Sequence, residues 1–154
     1  MKLSVSAAWA TSLALLCNAF SVHATELPAG LQKSLKPLAI VSTTIEDGVL
    51  KINMRKPVVR QDVYRFVVKT AACYPLWSDA RKGWGSAPIT SIEVRNDIGT
   101  QGFAFRGGRK ECAELGRSAN SDAEDQYIEA RTWVCVAGNP CRPRRPDEVT
   151  SGDE

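Results

Sequence analysis

Past residue 24 this chain contains no histidine; the single one is His23. Without an imidazole there can be no Ser-His-Asp triad and no Cys-His nucleophile pair. Most catalytic zinc sites also take imidazole ligands. No Cys-x-x-Cys occurs, so a thioredoxin-like redox motif is missing. The spacing of a P-loop or a dinucleotide fingerprint is missing too, and no motif asks for a cofactor. Nor is charge of one sign in excess. The chain has 20 Lys and Arg against 17 Asp and Glu, and without Lys2 the balance is 19 to 17, a formal +2. That balance makes nucleic acid a poor partner.

What the chain does have begins with residues 1–24, "MKLSVSAAWATSLALLCNAFSVHA". One basic residue, Lys2, precedes an uncharged, mostly apolar run. Small residues stand at Val22 and Ala24, the −3 and −1 positions of a cleavage site. This layout predicts a secretory signal peptide cleaved after Ala24, with an uncleaved anchor as the alternative. The run is about 18 residues long, marginal for a bilayer span. Cys17 follows Leu16 rather than the small residue of a lipoprotein site, so it is assigned to the leader. The expectation is an exported protein, periplasmic or secreted, with no membrane span once the leader is gone.

Residues 25–154 are then enough for one domain. Four cysteines remain, Cys73, Cys112, Cys135 and Cys141, spaced by 39, 23 and 6 positions. An all-cysteine zinc site shows paired Cys-x(2–4)-Cys knuckles, which these spacings do not supply. An even count in an exported chain points to disulfides rather than a metal site. Between Cys135 and Cys141, "AGNP" is turn chemistry: Gly138 tolerates positive φ, and Asn139-Pro140 favours a turn. The expected pairs are Cys135–Cys141 and Cys73–Cys112; the alternative is Cys112–Cys135 with Cys73–Cys141.

Residues 25–37 read as an N-terminal arm with a short helical turn near 31–35. "LAIVSTTIEDGVLKINM" reads as a hairpin about Asp47-Gly48, pairing Ile45 with Leu50, Thr43 with Ile52 and Val41 with Met54. Val59, Val63, Phe66, Val67 and Thr70 then follow helical spacing, widened by Tyr64, Val68 and Ala71, and predict a helix over 58–72. Residues 74–88 form an aromatic loop. "ITSIEVRNDIGTQGFAFR" reads as a second hairpin, with Val94 opposite Phe103 and Ile92 opposite Phe105. "GGRKECAELG" predicts a short helix. "SDAEDQYIEARTWVC" predicts another, with Tyr127, Ala130, Arg131 and Val134 on one face. The fold class expected is α+β: a disulfide-stapled antiparallel sheet of two hairpins, in the order β-β-α-loop-β-β-α-α, with helices on one face. One domain covers 38–141, and the charged tail 142–154 is expected to be disordered.

Three stretches are candidate binding sites. In the aromatic loop, Tyr74, Trp77 and Trp84 suit stacking or anchoring in a partner's pocket, and Trp84 is expected to be more exposed than Trp77. The alternative is that these rings cover the core edge. "FRGGRKE" sets Arg106, Arg109 and Lys110 around Gly107-Gly108, a geometry for an anion, or simply a turn from strand to helix. Arg142, Arg144 and Arg145 in "RPRR" suit phosphates or an acidic surface, but Asp147 and Glu148 follow at once. Among carboxylates, Glu111 with Glu114, and Glu124 or Asp125 with Glu129, fall at helical spacings that are usually solvated. By elimination the chain reads as an exported, non-catalytic protein that binds another protein or an envelope polymer: an inhibitor, an immunity-type partner or an accessory subunit. The alternative is a polyanion binder using Arg106, Arg109, Lys110 and the 142–145 arginines. A carboxylate-based hydrolase is the third class, and it requires two acids across a cleft, one with a raised pKa.

Overall fold

The computed structural model describes residues 26–79 and 82–148. The leader with Cys17, its cleavage point and residues 149–154 lie outside the described residues.

Asp47 and Gly48 both take positive φ, 50° and 76°, the backbone of a two-residue turn between twisted strands. They join β1 (Ile40–Glu46) to β2 (Val49–Met54). Ile45 lies opposite Leu50 and Thr43 opposite Ile52. The register slips between Ile40 and Ser42, so Ile40 meets Met54. Val41, which the sequence reading paired there, is exposed instead. The second hairpin joins β3 (Ser91–Arg95) to β4 (Gln101–Phe105) and sets Ile92 opposite Phe105 and Val94 opposite Phe103.

Between the hairpins the chain runs helically from 61 to 78: α2 (Gln61–Phe66), a π-helical stretch (Val67–Cys73) and α3 (Tyr74–Ser78). This crossover carries the chain back to where β2 begins. Val49 therefore pairs with Ser91 and Asn53 with Arg95, in parallel. The fold is α+β with two disulfides, but the sheet is not the purely antiparallel pair of hairpins expected. It is mixed, with six strands in chain order, β1-β2-β3-β4 followed by β5 (Thr132–Val136) and β6 (Arg142–Pro143). A tight turn reverses a strand, whereas a helical crossover delivers the next strand in the same direction.

The last two strands form where the sequence suggested helix and loose tail. After α4 (Arg109–Leu115), α5 (Ser121–Glu129) ends well before Cys135, and Thr132–Val136 becomes β5 along β4. Thr132, Trp133, Val134 and Val136 are β-branched or aromatic, and the open edge of β4 satisfies their backbone. Arg131 and Val134 therefore share no helical face with Tyr127. Ala137 and Gly138, at φ 54° and 71°, turn the chain into β6 (Arg142–Pro143), which pairs with β5. The tail is thus anchored up to Glu148, whose carboxylate accepts two 2.8 Å bonds from the Arg142 guanidinium.

One sheet face is covered by helices. Leu50, Ile52, Ile92, Val94, Phe103, Phe105 and Val134 are buried there with Tyr64, Val67, Val68 and Ala71; the Tyr64 and Phe103 rings lie 5.2 Å apart. The arm joins this layer: α1 (Ala29–Leu35) buries Leu31 and Leu35. By strand alternation the opposite face carries Lys51, Glu93, Arg95 and Trp133. Among the described residues no helix is long and apolar enough to cross a membrane. The two disulfides, Cys73–Cys112 and Cys135–Cys141, are the pairs that turn chemistry and spacing favour, and they fit an oxidising, extracellular-type compartment.

Candidate functional site

The geometry of the 74–88 stretch starts from Pro75. Its nitrogen has no hydrogen, so the helical ladder loses a donor where the π-helical stretch ends. Ser34 Oγ on α1 donates to the Ala71 carbonyl at 2.6 Å. The neighbouring Ala72 carbonyl accepts from Trp84 Nε1 at 2.7 Å. Trp84 is 0% exposed. The expectation that Trp84 would be a binding residue is therefore corrected: its ring fills the core beneath 61–78, and its one polar atom is spent on a buried backbone oxygen. Trp77 is displaced outward instead. Its Nε1 donates to Cys112 O at 2.7 Å, and its ring lies on Gly116, where a Cβ would stand 2.5 Å from Nε1. Only glycine fits below that ring.

The exposed rings form a ridge on the outer surface of 61–78. Phe66 is 52% exposed, Tyr74 53% and Trp77 37%. Tyr74 meets Trp77 edge-on at 6.2 Å. Phe66 precedes the π-helical stretch and Tyr74 and Trp77 follow it, with the exposed Thr70 between them. The sequence reading placed Phe66 and Thr70 on the buried stripe. The observed core face is Tyr64, Val67, Val68, Ala71 and Ala72, which rotates Phe66 and Thr70 outward. The other flank of this run is clamped to α5. Lys69 reaches Asp125 at 3.0 Å and Glu124 at 3.4 Å, and Arg65 reaches Glu129 at 3.2 Å. Burial alone would pull the Lys69 ammonium down, but Asp125 and Glu124 outweigh it, and its pKa is raised.

A cleft adjoins each end of the ridge. One, of about 610 Å³, lies between α1 and 61–78 and is lined by Lys33, Thr70, Tyr74, Asp79 and Lys82. The other, of about 500 Å³, is lined by Leu38, Lys56, Asp62, Val63 and Phe66. The ridge is thus apolar on top, with charged groups at its margins.

The basic candidates do not come together around an anion. Arg106 lies over the Trp133 ring, 4.4 Å from its centroid, on the sheet face away from the helices. Arg109 donates to Gly85 O at 2.8 Å. Lys110 extends into solvent near Glu114. The Gly108 N–H that would have received an anion already donates to Glu111 Oε2 at 2.8 Å. That bond holds the Glu111 carboxyl below its ordinary range. Arg142 is held by Glu148, and Arg144 Nε donates to Glu148 O.

The carboxylates are engaged as well. Glu114 accepts from Tyr127 Oη at 2.6 Å; burial first, then this bond, pushes the Tyr127 phenol up to about 12. Among the described residues, the carboxyls of Glu46, Glu111 and Glu148 are held below their ordinary range, the opposite of what a general acid needs.

On the far sheet face, the sulfurs of Cys135 and Cys141 and a Glu93 carboxylate oxygen lie within 4.8 Å of one another. The sulfurs are bonded to each other, and the Arg95 guanidinium occupies the same spot, 3.3 Å from Cys141 Sγ. A cation placed there would meet Arg95 first.

The chain matches no protein-family model, no curated protein and no solved structure. The site's chemistry is therefore read from its own residues.

Proposed function

We propose that this chain is an exported, non-catalytic binding protein, periplasmic or secreted, that docks another protein through the ridge of Phe66, Tyr74 and Trp77. It would act as an inhibitor, an immunity-type partner or an envelope accessory subunit. The ridge carries this reading. Aromatic rings are the usual anchors of protein interfaces, because each brings a large area at little entropic cost. Three of them left exposed on one helical run, beside a core with room for Trp84 and Tyr64, make a surface suited to an apolar partner. Lys33 and Lys82 in the adjoining cleft favour a partner with acidic groups near its apolar contact. The polyanion reading is the weaker one, since Arg106, Arg109, Arg142 and Arg144 are engaged within the chain.

The test is affinity isolation with the full chain as bait from its native envelope, repeated with Phe66→Ala and Tyr74→Ala. Neither ring makes a buried hydrogen bond, so the thermal midpoint should hold. A species retained by the wild type should be lost about tenfold or more from both variants, as expected when an interface anchor is truncated. Equal retention by both variants would sink the ridge as the docking face.

A further inference from the structure

The Cys135–Cys141 bridge has surroundings that a staple does not need. Arg95 is planted in the centre of the sheet, and its side chain, like that of Glu93, is only 11% exposed. Its Nε is bonded to Glu93 Oε2 at 2.8 Å and its Nη1 to Gly99 O at 2.9 Å. Nη2 is left facing Asn139 O and Cys141 Sγ, each at 3.3 Å. A disulfide sulfur is a poor acceptor for a guanidinium N–H, whereas a thiolate is a strong, charge-assisted one. The donor is therefore better matched to the reduced cysteine than to the bridge. The two residues are also unequal in exposure: Cys135 is buried, while Cys141 is partly exposed at the end of an exposed loop.

We propose that Cys135–Cys141 is a thiol–disulfide exchange site that takes electrons from a dithiol, with Arg95 holding the Cys141 thiolate. A thiolate of the dithiol attacks the sulfur of Cys141, the more exposed of the two residues. The S–S bond breaks and its electron pair leaves on Cys135, which is protonated. The second thiol of the dithiol then attacks the sulfur it carries in the mixed disulfide. The dithiol leaves as its own disulfide, and Cys141 is released as a thiolate against Arg95. Two electrons pass to the protein; one proton goes to Cys135 and the other to solvent. In the reverse direction Cys141 is the nucleophile. The charged groups facing this sulfur pair are Glu93 and Arg95 from β3; Arg142, next in the chain, is turned to Glu148. A Glu93 carboxylate oxygen lies within 4.8 Å of both sulfurs, but its charge is bonded to Arg95 Nε, and the group that donates to Cys141 Sγ, at 3.3 Å, is the guanidinium.

The experiment uses the wild-type full chain and dithiothreitol as the dithiol. Reduction under native conditions, quenched by alkylation and mapped by peptide, should label Cys135 and Cys141 at least about tenfold faster than Cys73 and Cys112. The alkylation rate of Cys141 against pH should have its midpoint about one unit or more below the ordinary thiol value of about 8.5, as an opposite charge within contact range produces. Arg95→Lys should raise that midpoint, because the ammonium cannot hold Glu93 and the sulfur in one plane. A loop that is merely exposed would show selective labelling with no such midpoint. Labelling of all four cysteines together, or a Cys141 midpoint at or above about 8.5, would overturn the proposal, and both readings come from the wild type whether or not the variant folds.

Discussion

Cys73 and Cys112 are both buried, in the seam between 61–78 and α4, roofed by Trp77, whose indole N–H is bonded to the Cys112 carbonyl. Cys135 and Cys141 lie at the other side of the sheet, at the mouth of an exposed turn, with Glu93 and Arg95 against them. The first bridge spans 39 positions and the second 6. In the chain-entropy view the first constrains the unfolded chain far more. It also lies in apolar surroundings that deny a thiolate any solvation. The same bond thus acts as a structural tie in one place and sits in a charged, reachable pocket in the other, and the difference comes from neighbours rather than from the cysteines.

The largest effect that tests this contrast is removal of the first tie. The double variant Cys73→Ala with Cys112→Ala should lose about 4 kcal/mol, and the corresponding Cys135 and Cys141 variant about 2 kcal/mol. Urea unfolding measures both. Equal losses would mean that the two bridges do the same job and would remove the distinction.

The two tryptophans near the buried bridge refine it. Trp84→Phe takes the donor away from Ala72 O inside the core and should cost about 1–3 kcal/mol, the penalty for an unpaired buried acceptor. Trp77→Phe removes a similar bond from an acceptor, Cys112 O, that still receives the Gly116 N–H at 3.1 Å. Its cost should stay below about 1 kcal/mol. A Trp77 variant that is the more damaging of the two, in the same unfolding assay, would show that the lid over Cys112 matters more than the filling beneath Ala72.

These tryptophans also show what the sequence can say. Their burial comes out reversed from the expectation, Trp84 buried and Trp77 half-exposed, because closeness to a helix end does not set closeness to the core. The useful signal is Pro75, which removes one donor from the helical ladder next to the carbonyls of Ala71 and Ala72, where Ser34 and Trp84 donate instead. The hairpin registers were legible because Asp47-Gly48 fixes a turn and the apolar residues on each side agree with one alternation. The parallel β2–β3 pairing was not, since nothing local to either strand names its neighbour across a crossover. β5 was read as helix because Tyr127, Ala130, Arg131 and Val134 also fit helical spacing; only the β-branched and aromatic run of Thr132, Trp133 and Val134 argued for a strand. Phe66 was hidden for a related reason. An apolar residue at helical spacing is counted as core until the rotation of the helix is known. Arg95 gave no hint at all, because what it touches is brought to it by the turn at Gly138.

The smallest effect concerns the segment that follows the second bridge. Glu148 accepts two bonds from Arg142 and one from the Arg145 N–H, and its carboxyl is held down to about 2. An ordinary glutamate titrates near about 4.3. A carboxyl depressed in the folded state adds stability that is complete above its unfolded value and is lost as the pH falls toward its folded value. This contact should therefore hold 142–148 in place at neutral pH and let go between about pH 4.3 and about pH 2. The pair is partly exposed, so its contribution is small and weakened by salt. Carboxyl resonances followed by NMR should place Glu148 far below the other exposed glutamates, and Arg142→Ala should return it to the ordinary range. If Glu148 titrates normally in the wild type, 142–148 is not held by this pair, and the rim of the Cys135–Cys141 pocket is looser than the ion pair implies. Faster dithiol attack on Cys141 in the Arg142→Ala chain would then no longer be expected; with the depressed value in place, that acceleration should accompany release of the segment.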